Sequence, residues 1–331
     1  MERFALAAAV VLGFALTAAL CSLFVPLRRV LERREQQQQP VQSEQPRPAP
    51  LRAPLWGGLC AAAGTVAAVG VGWLAACVGQ PELLGSEGQL MTRLLTALAG
   101  SLAFGAVGFA EDLARMRSPA ALGLRRDVRL LLEALAAAFV LLLLRAAGCL
   151  PRGLGVPGAG YVLLGSAVPF LWAVLMVTLA ECARVAERDE GTVCGAAFVA
   201  MLALMMVEAG LGVSGLAVLP GALAGALVAL GLWAFPPAKL GAGCCGSLLA
   251  AGAIGCIPLS LDMTSLTVPL ALPFWAAGGL LAAQLLCAKR TGKPLRCWVK
   301  KHKMSPETVF LCSFALSAVG YVLALALLRW C

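Results

Sequence analysis

Residues 4–25 read FALAAAVVLGFALTAALCSLFV, an apolar run without a single charge. A hydrocarbon layer about 30 Å thick is crossed by about 20 such residues in a helix. The run is too long for the core of a signal peptide and lacks a convincing small-x-small cleavage site, so it is expected to stay as a helix. Working outward, comparable runs recur at 55–77, 91–110, 130–150, 160–180, 193–209, 215–235, 246–262, 267–288 and 309–329. Several are Gly-rich, as close helix packing in a membrane allows. The fold class expected is therefore an all-α polytopic membrane protein, with about ten transmembrane helices and an active site on cytoplasmic loops. Residues 1–331 form one membrane domain in this reading.

Composition agrees. Of the 331 residues, 60% are hydrophobic and 13% charged, against about 45–50% and about 25% in soluble domains. A soluble globule, a disordered chain and a disulfide scaffold are excluded. An outer-membrane barrel is disfavoured because the apolar residues do not alternate with polar ones. The 13 cysteines contain no CxxC and mostly sit singly in apolar runs, as small buried side chains do. Residues 35–50, EQQQQPVQSEQPRPAP, read as a flexible cytoplasmic linker.

Orientation follows from Lys and Arg. Five alternate loops, 26–54, 111–129, 181–192, 236–245 and 289–308, hold every one of the 26 basic residues except Arg3, Arg93, Arg145, Arg152 and Arg329. The positive-inside rule puts those loops in the cytoplasm and both termini outside. The net charge of +9 is thus a topology signal with affinity for anionic lipid or phosphate, and no nucleic-acid partner is expected. Glu111, Asp112, Asp127, Glu181, Glu187, Asp189 and Glu190 all fall in the second and third of these loops. None of the acids sits at the middle of an expected span, where ion-coupled transporters place them. That points to chemistry at the cytoplasmic interface and against a lipid or solute transporter.

Four segments in these loops carry a resemblance. Pro54-Leu55-Trp56-Gly57-Gly58 looks like T-P-x-M-G-G. Gly108-Phe109-Ala110-Glu111-Asp112-Leu113-Ala114-Arg115, followed by Gly123-Leu124 and Arg129, resembles G-F-x-D-D-x-x-K and G-L-x-x-x-x-K. The stretch from Glu181 to Gly195 sits where N-x-x-N-x-x-D-G-x-D-G-x-x-x-G is expected, with Glu181 and Arg184 at the two Asn positions and Glu187 and Glu190 at the two Asp positions. Phe235-Pro236-Pro237-Ala238-Lys239 through Gly246-Ser247-Leu248 is similar to P-A-K-x-F-M-G-D-x-G-S-L. A fifth stretch, Lys289-Arg290-Thr291-Gly292-Lys293, resembles K-R-T-G-K, but the His-His-His motif that should follow is absent and His302 is the chain's sole histidine. Together, over nearly the whole chain, these resemble the phospho-N-acetylmuramoyl-pentapeptide transferases. That family belongs to the polyprenyl-phosphate N-acetylhexosamine-1-phosphate transferases, glycosyltransferase family 4.

The resemblance implies transfer of a sugar-1-phosphate, such as phospho-N-acetylmuramoyl-pentapeptide, from a UDP-sugar to undecaprenyl phosphate, in a bacterial plasma membrane. It implies Mg²⁺, which neutralises pyrophosphate and prefers carboxylate oxygens. Carried over residue by residue, Asp112 is the acid near the acceptor phosphate with Glu111 beside it. Glu187 is a catalytic and metal-binding candidate. Arg115, Arg129, Lys239 and Glu190 are substrate-binding candidates. The family's metal-binding Asp is Cys244 here, and thiols suit Mg²⁺ poorly.

Other readings stand beside these. Glu111–Asp112 is also readable as a solvated helix end balanced by Arg115. Glu187 and Glu190, three apart, would share a helix face, and Glu187 would then pair with Arg184. Arg184 at an amide position opposes a metal by charge repulsion, or supplies the positive charge itself. Cys244-Cys245 is either a soft-metal pair or the filling of a tight turn. Lys293, Arg296, Lys300, Lys301 and Lys303 hold phosphate or reflect only the basic-inside bias. Two functional readings result: a transferase with impaired catalysis, or a pseudoenzyme that binds polyprenyl phosphate or regulates an active transferase, as a homodimer or with that partner.

Overall fold

The structure, a computed structural model, describes residues 2–38, 56–79, 88–117, 123–151, 153–156, 160–163, 165, 167–187, 191–213, 215–235, 238–291 and 306–330. Ten long helices appear among them: α1 (Glu2–Gln38), α2 (Gly57–Gly79), α3 (Gly88–Arg117), α4 (Arg126–Ala146), α5 (Ala167–Ala186), α6 (Thr192–Gly210), α7 (Val218–Ala234), α8 (Gly243–Ser260), α10 (Leu272–Thr291) and α11 (Pro306–Trp330), with a four-residue α9 (Thr267–Leu270) before α10. The chain is an all-α membrane protein. Among the described residues seven helices are long and apolar enough to cross a bilayer, or eight if the bent pair formed by 264–270 and Leu272–Ala283 counts as one span.

The expected runs meet these helices with instructive differences. The run 160–180 is not one helix. Gly160–Leu163 forms β2, antiparallel to β1 (Gly153–Val156), with Gly153 opposite Leu163, and α5 starts only at Ala167. The run 267–288 is broken by a 64° bend, in a stretch where Pro269 and Pro273 remove backbone donors. α4 carries Asp127, Arg129, Glu133 and Arg145, and α7 is 17 residues long, so the first is more densely charged and the second shorter than the seven apolar helices. α1 runs on to Gln38, so the first residues of the expected linker are helical, while 39–50 lie outside the described residues.

α8 lies at the centre and is buried along its whole length. Its sequence, GCCGSLLAAGAIGCIPLS, has no charge and mostly small side chains, so neighbouring backbones approach closely. A Cβ added at Gly108 of α3 would run into the Cys244 carbonyl, and one added at Gly58 of α2 would run into the Gly246 nitrogen. Small residues alone permit these contacts.

α8 also has no side-chain cap of its own; α3, packed antiparallel along it, supplies both ends. Asp112 near the end of α3 accepts backbone N–H bonds from Cys244 (3.0 Å) and Cys245 (2.8 Å) at the start of α8. Arg93 near the beginning of α3 donates to the Ser260 carbonyl (2.9 Å) at the end of α8. Each charge meets the helix terminus that the backbone dipole favours, an acid at the N-terminus and a cation at the C-terminus. At about 1.5 Å per residue, the rise from Arg93 to Asp112 is about 28 Å, close to the length of α8.

Candidate functional site

The end of α3, the start of α4, the end of α5 and the start of α8 converge, and the first four sequence motifs meet there. Trp56, just ahead of α2, stacks on Phe24 of α1 (centroids 5.8 Å apart) and meets Phe109 of α3 edge-on (6.4 Å). These aromatic contacts seat the first motif against the second.

α3 does not stop where the loop 111–129 was expected to begin. It continues to Arg117, so Glu111, Asp112 and Arg115 are helical and fall at i, i+1 and i+4. Arg115 Nη2 therefore reaches Glu111 Oε1 at 2.7 Å, while Nη1 lies 3.9 Å from Asp112 and 3.9 Å from Glu187. Gly123 adopts a left-handed φ of +70° beneath this arginine, where a Cβ would come within 3.1 Å of Arg115 Cγ. That is a physical reason for glycine at the head of the Gly123-Leu124 motif.

Arg129 on the first turn of α4 is the hub. It is buried; its Nε donates to Glu181 Oε1 of α5 at 2.7 Å, and its Nη1 lies 3.7 Å from Glu111 Oε1. From the other side Arg184 Nη2 donates to Glu181 Oε2 at 2.5 Å, an i, i+3 pair on α5. One carboxylate thus bridges two guanidinium groups from two helices. Below it Glu133 of α4 is fully buried, and neither of its carboxyl oxygens has a hydrogen-bond partner. Glu111 Oε2 and Arg184 Nε are likewise buried and unpaired.

Of the expected site residues, Glu111, Asp112, Arg115, Arg129 and Glu187 come together, along with Glu181 and Arg184. Lys239 is exposed in the segment after α7, where its backbone N–H donates to the Trp233 carbonyl (2.8 Å). Glu190, the basic stretch 293–303 and His302 lie outside the described residues. Two expectations are corrected. Glu111–Asp112 is not a solvated helix end, since both acids are buried. Arg184 pairs with Glu181 rather than Glu187: α5 ends at Ala186, so Glu187 leaves the helix and faces Arg115 instead.

Sequence reasoning passed over Glu133. Its spacing of four from Arg129 on one helix was the available signal. It also passed over Glu208 of α6, 1% exposed with an unpaired Oε2. Glu208 lies near the opposite end of the bundle, beside the α6 C-terminus.

The donors suit Mg²⁺ badly. Both Asp112 oxygens are taken by backbone amides, both Glu181 oxygens by guanidiniums, and Glu111 Oε1 by Arg115. Cys244 offers a buried, soft thiol where a hard oxygen is needed. Among the described residues no group of three or more His, Cys, Asp or Glu is disposed to hold a metal ion.

Comparison with known proteins closes on the same region. Residues 94–262, which run from α3 to the end of α8, match the model of glycosyl transferase family 4. A phospho-N-acetylmuramoyl-pentapeptide-transferase of Desulforudis audaxviator (strain MP104C) is 33% identical over 170 residues, covering 48% of this chain and 50% of that protein. The chain spans about half the length of the curated relative it matches.

Proposed function

Since the chain belongs to glycosyl transferase family 4, we propose that it descends from enzymes moving a sugar-1-phosphate from a UDP-sugar to undecaprenyl phosphate, and that its own catalysis is impaired. In this reading it sits in a bacterial plasma membrane as a ten-span protein with both termini outside, and the Glu111–Arg129–Glu181 face opens to the cytoplasm. The observation that carries the proposal is the bridging of Glu181 by Arg129 and Arg184 beside an Asp112 already spent on the α8 cap. The motif residues still converge, so a phosphate-bearing ligand has cationic partners in Arg115, Arg129 and Arg184. Both Glu181 oxygens and one Glu111 oxygen are held in ion pairs, and both Asp112 oxygens in the α8 cap, rather than left for a divalent ion.

Joining two anions at phosphorus without that ion forfeits charge neutralisation at the reacting group. Even a positional error of about 1 Å costs on the order of 10²-fold in rate. The test is UMP exchange into a UDP-sugar by the purified protein with Mg²⁺ and undecaprenyl phosphate, beside native mass spectrometry of the same sample. Exchange at least about 10²-fold below an intact family member, with the lipid phosphate bound, is the expected result. Exchange at normal turnover refutes impairment.

A second reading is a non-catalytic pseudoenzyme that binds polyprenyl phosphate or regulates an active transferase. The full commitment of both Asp112 oxygens to the cap favours it. No measurable exchange, together with retained lipid binding, would select it.

A further inference from the structure

The Arg129–Glu181–Arg184 bridge has the geometry of a ligand complex. Two guanidiniums from different helices each donate to a different oxygen of one carboxylate, at 2.7 and 2.5 Å. Arginine forks accept carboxylate and phosphate in the same planar geometry. We infer that Glu181 is a built-in anion occupying a phosphate site, and that a phosphate or diphosphate binds Arg129 and Arg184 without metal by displacing it. This rests on the phosphate-facing reading of the site proposed above.

Three observations support the assignment. The carboxylate is the exposed member of the trio: the Glu181 side chain is 26% exposed, against 8% for Arg129 and 15% for Arg184. The acid can therefore swing toward solvent, while Arg129 keeps Glu111 at 3.7 Å and the Arg184 side chain is largely enclosed by its surroundings. Next, Arg184 Nε is a buried donor with no partner. Glu181 has only two oxygens, and both are engaged; a phosphate brings a third acceptor for that N–H. Finally, both 181 and 184 depart from the two amides of the pattern the chain resembles, so the acid and the base enter as a matched pair.

Glu111, 3.7 Å from Arg129, and the buried Glu133 also face the clamp. The Glu111 carboxylate, paired with Arg115 at 2.7 Å, opposes an added anion, and the displacement of Glu181 decides affinity.

The experiment titrates inorganic pyrophosphate into the full-length protein in detergent with EDTA present. Glu181→Gln should bind it at least about tenfold more tightly than the parent, the weight of one charge-assisted contact. Adding Arg184→Gln to that variant should abolish the gain. Glu181→Asp, which keeps the charge but shortens the reach, should give a smaller tightening, and it serves if Glu181→Gln does not fold. Competition by UMP or by undecaprenyl phosphate then tells whether nucleotide or lipid brings the phosphate.

Equal affinity of the parent, Glu181→Gln and Glu181→Asp overturns the inference, as does a gain that survives Arg184→Gln. If the parent fails to bind undecaprenyl phosphate while Glu181→Gln still gains pyrophosphate affinity, the proposed function falls and the built-in anion stands. Lipid binding without any gain gives the reverse.

Discussion

Asp112→Asn tests whether this residue is the cap of α8. The aspartate is 1% exposed, and its two oxygens accept the Cys244 and Cys245 amides at 3.0 and 2.8 Å. Asparagine has nearly the same shape but one acceptor oxygen. It keeps one of these bonds, turns an N–H toward the other donor and loses the charge at the helix N-terminus. A hydrogen bond to a charged group contributes about 1.5–3 kcal/mol, and a buried donor left unpaired costs about 1–3 kcal/mol. The lost dipole interaction adds up to about 1 kcal/mol. Since the first two overlap, the expected destabilisation is about 2–4 kcal/mol for Asp112→Asn and more for Asp112→Ala, which orphans both amides. The assay is reversible unfolding in mixed SDS and mild-detergent micelles. Arg117→Gln, on an exposed position of the same helix, is the control and should stay within about 0.5 kcal/mol of the parent. An Asp112→Asn protein as stable as that control would show that the aspartate is held for its chemistry and that the cap reasoning is wrong.

Other expectations can be measured in the same way. Glu133→Gln should leave stability unchanged or raise it by about 1–2 kcal/mol, because a buried carboxyl with two unpaired oxygens gives way to a neutral group of the same shape; a clear loss in the SDS titration would show an unseen partner. Gly108→Ala should destabilise by about 1–3 kcal/mol or more, because its Cβ meets the Cys244 carbonyl and backbone must move; an unchanged midpoint contradicts the close approach of α3 to α8. Cys244→Asp alone should weaken the fold, since it buries a carboxylate beside Asp112. Combined with Glu181→Asn and Arg184→Asn, it should yield Mn²⁺ binding visible by electron paramagnetic resonance, and a triple variant silent to Mn²⁺ would mean that these positions are not what excludes the ion.

How much of this was legible in the sequence differs by element. The apolar runs located all ten long helices, because the cost of exposing backbone to hydrocarbon leaves few alternatives. The run 160–180 was misread although it opens just after Pro157-Gly158, a turn signal that hydropathy alone ignores. The contents of the candidate site were also legible: Glu111, Asp112, Arg115 and Arg129 stand in recognisable motifs and meet in space. The pairing within it was not. Arg184 had two acids within helical reach, Glu181 behind and Glu187 ahead, and the choice depended on α5 ending at Ala186.

What the sequence determined by itself, then, is the class of protein, the places of the long helices and most of the charged residues at the site, because hydropathy and local motifs act over a few residues at a time. Tertiary structure decided what each charge does. Asp112 and Arg93 cap α8 only because α3 lies antiparallel along it, and Arg129 meets Glu181, fifty-two positions away, only because α4 and α5 are neighbours. A carboxylate acquires its role from whichever donors the packing brings within about 3 Å, and that distance is set by the meeting of helices remote in the chain.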